Sequence, residues 1–386
     1  MFEYFKDNYA WNIAVATLVE EVGTLAEPME AFQAVAHLAD ADPTVANQAW
    51  HDAMMALGQR LERLADEDLA AGHALSAARK YHRASMYLIR VERMMPPRNS
   101  DRLAVYRRAL ANFRKARELG RDGVEFVGIP FEGKVIPALL VKAKGSAPAP
   151  IVIHLQGFDS VKETQWPMLQ EYRRRGLSVL ILDQPGAGEA LRLHGLTARI
   201  ESETYVSRAV DYILGRADIR TEQIGLAGLS MGGFLAPRAA AFEPRIRAVA
   251  SWGAFFRLRP PAPQPAAGSA RSGEAPGAAS LPSMLAHALW SWGLDTPQEF
   301  GALAERFTLE GVVDKIRCPY LVMHGEGDRQ IPWSDAVATY EQTTAPGKRL
   351  KIFRKDEGGI EHCQLDNRAF GADYLTDWFA EIFSGR

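Results

Sequence analysis

Cysteine is scarce in this chain: Cys318 and Cys363 are the only two in 386 residues. Two isolated thiols cannot build the cross-linked framework of a small secreted domain, and they point to a reducing, cytoplasmic setting. No apolar run approaches the length of a membrane span. The short run Trp11 to Val19 follows Glu3 and Asp7 and lacks a cationic start, so it reads as one face of a helix and not as a secretory signal. An excess of charge is missing too. Lysine and arginine total 45 against 47 acidic residues, a net charge of −2, which excludes the basic footprint of a nucleic-acid binder. Neither an internal repeat nor a Cys/His spacing suited to a metal is present.

What is present is enough apolar material, 47% of residues, for a large core, and enough length for two structural parts. Residues 1–121 read as helical almost throughout. Asp42-Pro43 is a helix start, an acid at the N-cap and proline at the first helical position. After it Trp50, Met54, Leu57, Leu61 and Leu64 recur in steps of four and three as one apolar stripe. A second helix, about Ala70 to Met95, ends at Pro96-Pro97. A third begins near Asn99 to Asp101 and stops at Gly120. Its Arg107, Arg108, Arg114, Lys115, Arg117 and Arg121 read as a solvated face.

Near Gly123 the apolar period changes from helical to two. Glu125–Val127 and Val135–Val141 predict a β-hairpin. Strands are then expected at 151–155, 179–183, 224–229, 247–252, 319–323 and 350–353, separated by helix-length segments. That alternation predicts an α/β class fold: a mostly parallel central sheet with helices on both faces, preceded by a helical N-terminal region. The domains expected are 1–121, a helical cap or dimerisation region, and 122–386, a catalytic part. A lid insertion is expected at about 257–310, with helices near 285–292 and 297–307. Its stretch 259–282, rich in Pro, Ala, Gly and Ser, predicts a mobile loop.

The chemistry is announced by Gly-Leu-Ser-Met-Gly-Gly, with Ser230 between Gly228 and Gly232, placed after a strand-like stretch and before a helix-like one. A serine on a tight strand-to-helix turn, with glycines on both sides, is a nucleophile elbow. Asp328 follows the strand at 319–323 and His362 follows the one at 350–353. Ser, Asp, His, each past a strand end, is the chain order of α/β-hydrolases. His362 is the candidate base, in a loop loosened by Gly358 and Gly359, with His154 and His324 as competitors at other strand ends. Asp328 is the candidate acid, with Glu326 behind it. For the oxyanion, the amide of Met231 is expected on one side and that of Phe158, or Gly157, on the other. Candidate substrate contacts are Glu361, Trp252, Tyr81 and Tyr87. Phe5, Trp11 and Met86 are further candidates for an apolar pocket wall. Asp183 to Glu189 is glycine-rich but lacks the lysine of a phosphate loop, and reads as a tight turn at the pocket rim.

The segments Gly157 to Glu163, Asp183 to Glu189, Gly228 to Gly233 and Glu361 to Cys363 together resemble the FrsA-like esterase branch of α/β-hydrolases. That branch includes 2,6-dihydroxypseudooxynicotine hydrolase and polyketide-shortening hydrolases. The resemblance implies a Ser-Asp-His triad at Ser230, Asp328 and His362, a helical cap ahead of the core, a homodimer, and neither metal nor organic cofactor. It implies a small-molecule substrate, aromatic or polyketide-like, cleaved at an ester or at a carbon–carbon bond beside a ketone. Two other functions are weighed against it: acyl transfer through the same triad, and a non-catalytic partner-binding protein on a hydrolase scaffold.

Overall fold

A computed structural model describes residues 3–5, 8–39, 41–145, 147–258 and 281–385. They form two compact units. The first is the N-terminal part up to Val124 together with 163–167 and 281–288; the second holds 125–162, 168–258 and 289–385.

The first unit is built from helices α1 (Tyr9–Val22), α2 (Ala26–Val35), α3 (Pro43–Ala70), α4 (Ala74–Met94) and α5 (Arg102–Gly120). Asp42 caps α3 by accepting from the Thr44 amide, and Pro43 supplies a first helical position that needs no N–H partner. The stripe on α3 turns inward: Trp50, Met54, Leu57 and Leu61 are all buried. Phe5, Trp11, Phe32 and Trp50 make an aromatic cluster, with Trp11 and Trp50 ring centres 4.9 Å apart. The basic face of α5 is not uniformly solvated. Arg117 is buried, stacks 4.1 Å from the Trp166 ring and pairs with Asp122; burial pushes its pKa down to about 10.

The second unit carries an eight-stranded sheet. Strands β1 (Val124–Phe131) and β2 (Lys134–Val141) are joined by the tight turn Glu132-Gly133, both residues at positive φ. Then come β3 (Ala149–Leu155), β4 (Ser178–Leu182), β5 (Ile219–Leu229), β6 (Ala248–Trp252), β7 (Tyr320–Gly325) and β8 (Arg349–Phe353). The spatial order is β1-β2-β4-β3-β5-β6-β7-β8; β2 runs antiparallel to β4 and the pairs from β4 to β8 are parallel. Strands β4, β6 and β7 are buried along their whole length, and β3 past its first residue, as parallel strands with helices on both faces must be. Strand β5 is longer than its apolar run because Ile219 pairs back to Ala149 across a register shift.

The connecting helices are α6 (Trp166–Arg174), α7 (Gly188–Arg192), α8 (Glu203–Leu214), α9 (Gly232–Phe242), α10 (Leu281–Trp292), α11 (Pro297–Arg306), α12 (Ser334–Gln342) and α13 (Arg368–Ser384). Of the stretch expected to be a mobile loop, 259–280 lies outside the described residues, and α10 begins at Leu281. Chain order reverses around β3, which lies between β4 and β5. Such a reversal opens a crevice beyond the carboxyl ends of the strands, where α/β sheets bind ligands. Among the described residues, no helix is long and apolar enough to cross a membrane.

Candidate active site

Ser230 sits between the end of β5 and the start of α9 with φ at +55°, in the left-handed region that a residue with a Cβ rarely occupies. Such a conformation costs about 1–3 kcal/mol and persists only where surroundings impose it. Here the Ser230 amide donates to Trp252 O at 2.7 Å and its carbonyl accepts from the Gly233 amide at 2.6 Å. Glycine at 228 is obligatory, since a Cβ there would lie 1.9 Å from Gly232 O, a backbone atom with nowhere to go. Gly228→Ala is therefore expected to displace the elbow. Displacement of about 1 Å costs roughly a hundredfold in rate, so a drop of at least that size in kcat/KM, checked beside a thermal melt, is the expected outcome.

The chain expected to hold a base and an acid brings both to this turn. Ser230 Oγ is 2.8 Å from His362 Nε2, and His362 Nδ1 is 2.7 Å from Asp328 Oδ2. The Asp328 side chain is fully buried, and its carboxylate is surrounded by donors. Oδ1 accepts from the amides of Gln330 and Ile331, while Oδ2 faces His324 Nε2 at 3.2 Å as well as His362. A carboxylate only accepts, so Nδ1 of His362 carries the proton and Nε2 is left to accept from the Ser230 hydroxyl. Burial opposes charge on the His362 ring, but the Asp328 carboxylate and the Cys363 sulfur outweigh it and hold its pKa well above the ordinary 6.5. Burial likewise opposes ionisation of Asp328; His362 and His324 prevail and hold the carboxyl well below the usual carboxylate range.

Both alternative acids and bases are occupied elsewhere. Glu326 accepts from the Lys355 amide and pairs with Arg354. His324 donates to Ile331 O, which ties the loop after β7 to the strand itself. His154 is fully buried and contacts the Tyr172 hydroxyl of α6 at 3.1 Å, so it joins strand to helix and not to the loop after β3; burial pushes its pKa down to about 3.

The loop after β3 runs past the nucleophile. A Cβ on Gly157 would lie 3.3 Å from Ser230 Cβ. The loop is pinned at its root by a two-way amide exchange: Gln156 N donates to Gln184 Oε1 and Gln184 Nε2 donates to Gln156 O, both at 3.0 Å. At its far end Lys162 is buried, its ammonium 2.9 Å from Asp183 Oδ2 and 2.8 Å from Glu189 Oε2, while its amide donates to Asp183 Oδ1. The turn Asp183 to Glu189 is thus the anchor of this loop. On the other side Met231 is the N-cap of α9, where the helix dipole adds partial positive charge. Gly157, Phe158 and Met231 line one small cavity.

All four candidates for substrate contact are buried. Tyr81 and Tyr87 are buried in the helical unit, Tyr81 donating to Asp66, and Phe5, Trp11 and Met86 are buried in that unit too. Aromatics on an inward face of a helix read the same in sequence whether they line a pocket or a core. Trp252 is fully buried on β6, with its indole N–H donated to Gln364. Glu361 is buried against Arg329, its carboxylate 3.0 Å from the guanidinium, and joins the loop holding His362 to the one holding Asp328. These are positioning roles. The Arg329–Glu361 and Lys162–Asp183 pairs had no spacing signal, although Lys162 and Asp183 both stand in the motif-like segments.

A mostly parallel sheet, a strained serine turn at its carboxyl edge, and a histidine and acid from later strand ends define an α/β-hydrolase. The Alpha/beta hydrolase family model matches residues 151–368, more than half of the chain, and the chain belongs to that family. It is 29% identical to Hydrolase LUC6 of Fusarium over 94% of this chain and 93% of that protein. Against 2,6-dihydropseudooxynicotine hydrolase of Paenarthrobacter nicotinovorans it is 28% identical over 86% of this chain and 84% of that one. A crystal structure of 2,6-dihydroxy-pseudo-oxynicotine hydrolase superposes with a TM-score of 0.70 at 26% identity, covering 86% of this chain and 88% of that one.

Proposed function

We propose that the chain is a serine hydrolase that works through an acyl-enzyme, with Ser230 as nucleophile, His362 as general base and acid, and Asp328 as its orienting carboxylate. The observation that carries this reading is the continuous relay from Ser230 Oγ to His362 Nε2 and from His362 Nδ1 to Asp328. In the first half-reaction Oγ attacks the substrate carbonyl carbon while His362 takes its proton. Negative charge then develops on the carbonyl oxygen, within reach of the amides of Met231 and of Phe158 or Gly157. Collapse expels the leaving group, which takes the proton from His362. Water next attacks the acyl-enzyme, gives a proton to His362, and the Ser230 oxygen leaves and regains it.

The leaving group is an alkoxide in an ester, or a carbanion stabilised by an adjacent carbonyl or an electron-poor ring in a ketone. The substrate proposed is an aromatic or polyketide-like small molecule. The name of one relative, 2,6-dihydropseudooxynicotine hydrolase, supports a small organic substrate, and the motif resemblance supports this class. The same resemblance supports a homodimer, with residues 1–121 as the dimerisation part and 122–386 as the catalytic part. Two unpaired cysteines support a cytoplasmic setting.

Purified protein given aryl esters and aryl β-diketones, with both fragments followed by mass, is expected to release a carboxylic acid from at least one class. Turnover is expected to vanish in Ser230→Ala. Equal turnover by that variant, or no acid from either class, would contradict the reading.

A further inference from the structure

His362 is followed by two residues in the left-handed region, Cys363 at φ +49° and Gln364 at φ +55°. Residues with a Cβ rarely hold that conformation even singly, and it persists only where the surroundings impose it. The turn stands directly after the proposed base, so the groups that hold it also aim the imidazole. Two of those holds come from one residue of β6, Trp252.

The main-chain carbonyl of Trp252 accepts from the Cys363 thiol at 3.5 Å, within the longer reach of sulfur, and its indole N–H donates to Gln364 Oε1. The same carbonyl accepts from the Ser230 amide at 2.7 Å. A thiol has one proton. With that proton on Trp252 O, the Cys363 sulfur turns a lone pair to His362 Nε2, 3.5 Å away. The contacts close into a circuit: carbonyl to elbow amide, serine oxygen to imidazole, imidazole to sulfur, and sulfur back to the carbonyl.

Neighbouring elements leave this circuit little freedom. A Cβ on Gly371 of α13 would lie 2.4 Å from Trp252 Cζ2 and 2.8 Å from Gln364 Oε1. A Cβ on Gly253 would lie 2.6 Å from Cys363 Sγ. Interiors packed this closely transmit a displacement instead of absorbing it.

We propose that Trp252 is a positioning residue that couples the nucleophile to the base: its carbonyl holds the Ser230 elbow and Cys363, its indole holds Gln364, and together they set the distance between Ser230 Oγ and His362 Nε2. The proposal rests on the serine-hydrolase reading above. Its indole arm is the part that a substitution can remove, since the carbonyl belongs to the backbone.

The test is kcat and KM on an aryl ester or aryl β-diketone that the wild type turns over, with kcat counted per fluorophosphonate-reactive serine so that loss of folded protein does not register. Trp252→Phe deletes the indole N–H and keeps a ring; Gln364→Met deletes the acceptor and keeps an unbranched side chain. Misplacement by about 1 Å costs roughly a hundredfold, so each variant is expected to lower kcat by about ten- to a hundredfold. KM is expected to stay within about twofold. Both variants remove the same hydrogen bond, so the double variant is expected to lose little more than either alone. Cys363→Ala is expected to lower kcat as well, and Cys363→Ser, which restores a donor toward Trp252 O, to recover part of the loss. Should Trp252→Phe fail to fold, Gln364→Met and the Cys363 pair decide. Unchanged kcat in the folded variants, a rise in KM alone, or a double variant whose loss is the product of the single losses would overturn the coupling. With turnover still lost in Ser230→Ala, the serine-hydrolase reading would then stand. Turnover that survives Ser230→Ala, or none by the wild type on either substrate class, would overturn both.

Discussion

Ser230→Ala is expected to lower kcat by about a millionfold, the size of loss that removal of a triad nucleophile produces. The residue is a strong test because the change is small everywhere else. Ser230 uses only its backbone to hold the elbow, donating to Trp252 O and accepting from Gly233, and alanine keeps both bonds. The left-handed backbone costs alanine much as it costs serine. The melting temperature should therefore stay close to that of the wild type while turnover disappears. A variant that keeps more than about one per cent of activity is incompatible with the millionfold loss expected of a covalent mechanism through this oxygen.

Asp328→Asn is the second large effect, an expected fall of about ten-thousandfold in kcat. The carboxylate accepts from His362 Nδ1, two backbone amides and His324. An amide has one oxygen, and its NH2 group can donate to Nδ1, which would move the ring proton to Nε2 and leave nothing to accept from Ser230. The pH profile separates this from simple loss of structure. His362 must be neutral to act as base, and its pKa is held above 6.5. Wild-type kcat/KM should therefore rise with pH through an apparent pKa above 6.5 and then level off. Without the carboxylate the main influence that raises the pKa of the ring is gone, so the residual activity of Asp328→Asn should reach its plateau at lower pH. A limb that does not move would assign the titration to another group.

Much of the fold was legible because the signals were local. The change of period near Gly123, the caps at Asp42-Pro43, and short apolar runs ending in Gly, His or Asp place most of the strands in the second unit. Strand β5 is the exception: Ile219 to Gln223 is mostly polar and pairs only through a register shift, which no single-strand pattern encodes. Helix α9 holds Pro237, which read alone predicts a break. The Gly233 carbonyl that the proline cannot bond accepts instead from Ser251 Oγ of β6 at 2.7 Å, a tertiary compensation.

The site shows the same division. Ser230, Asp328 and His362 could be singled out by residue type and by position past a strand, since the sheet brings strand ends to one edge. The residues that support them could not. Gln184 reaches Gln156, Lys162 reaches Asp183, and Arg329 reaches Glu361 across long sequence separations. Each pairing exists only because parallel strands lie side by side. Glu361, adjacent in sequence to His362, looked like a substrate contact because sequence shows its charge and conceals Arg329.

The most direct measurement is mass analysis of the intact protein and its peptides after reaction with a fluorophosphonate, for the wild type and for His362→Ala. One adduct on Ser230, formed quickly in the wild type and far more slowly without the imidazole, is the predicted result. An adduct on a different residue, or labelling of Ser230 at the same rate in both proteins, would contradict the relay from Asp328 through His362 to the serine oxygen.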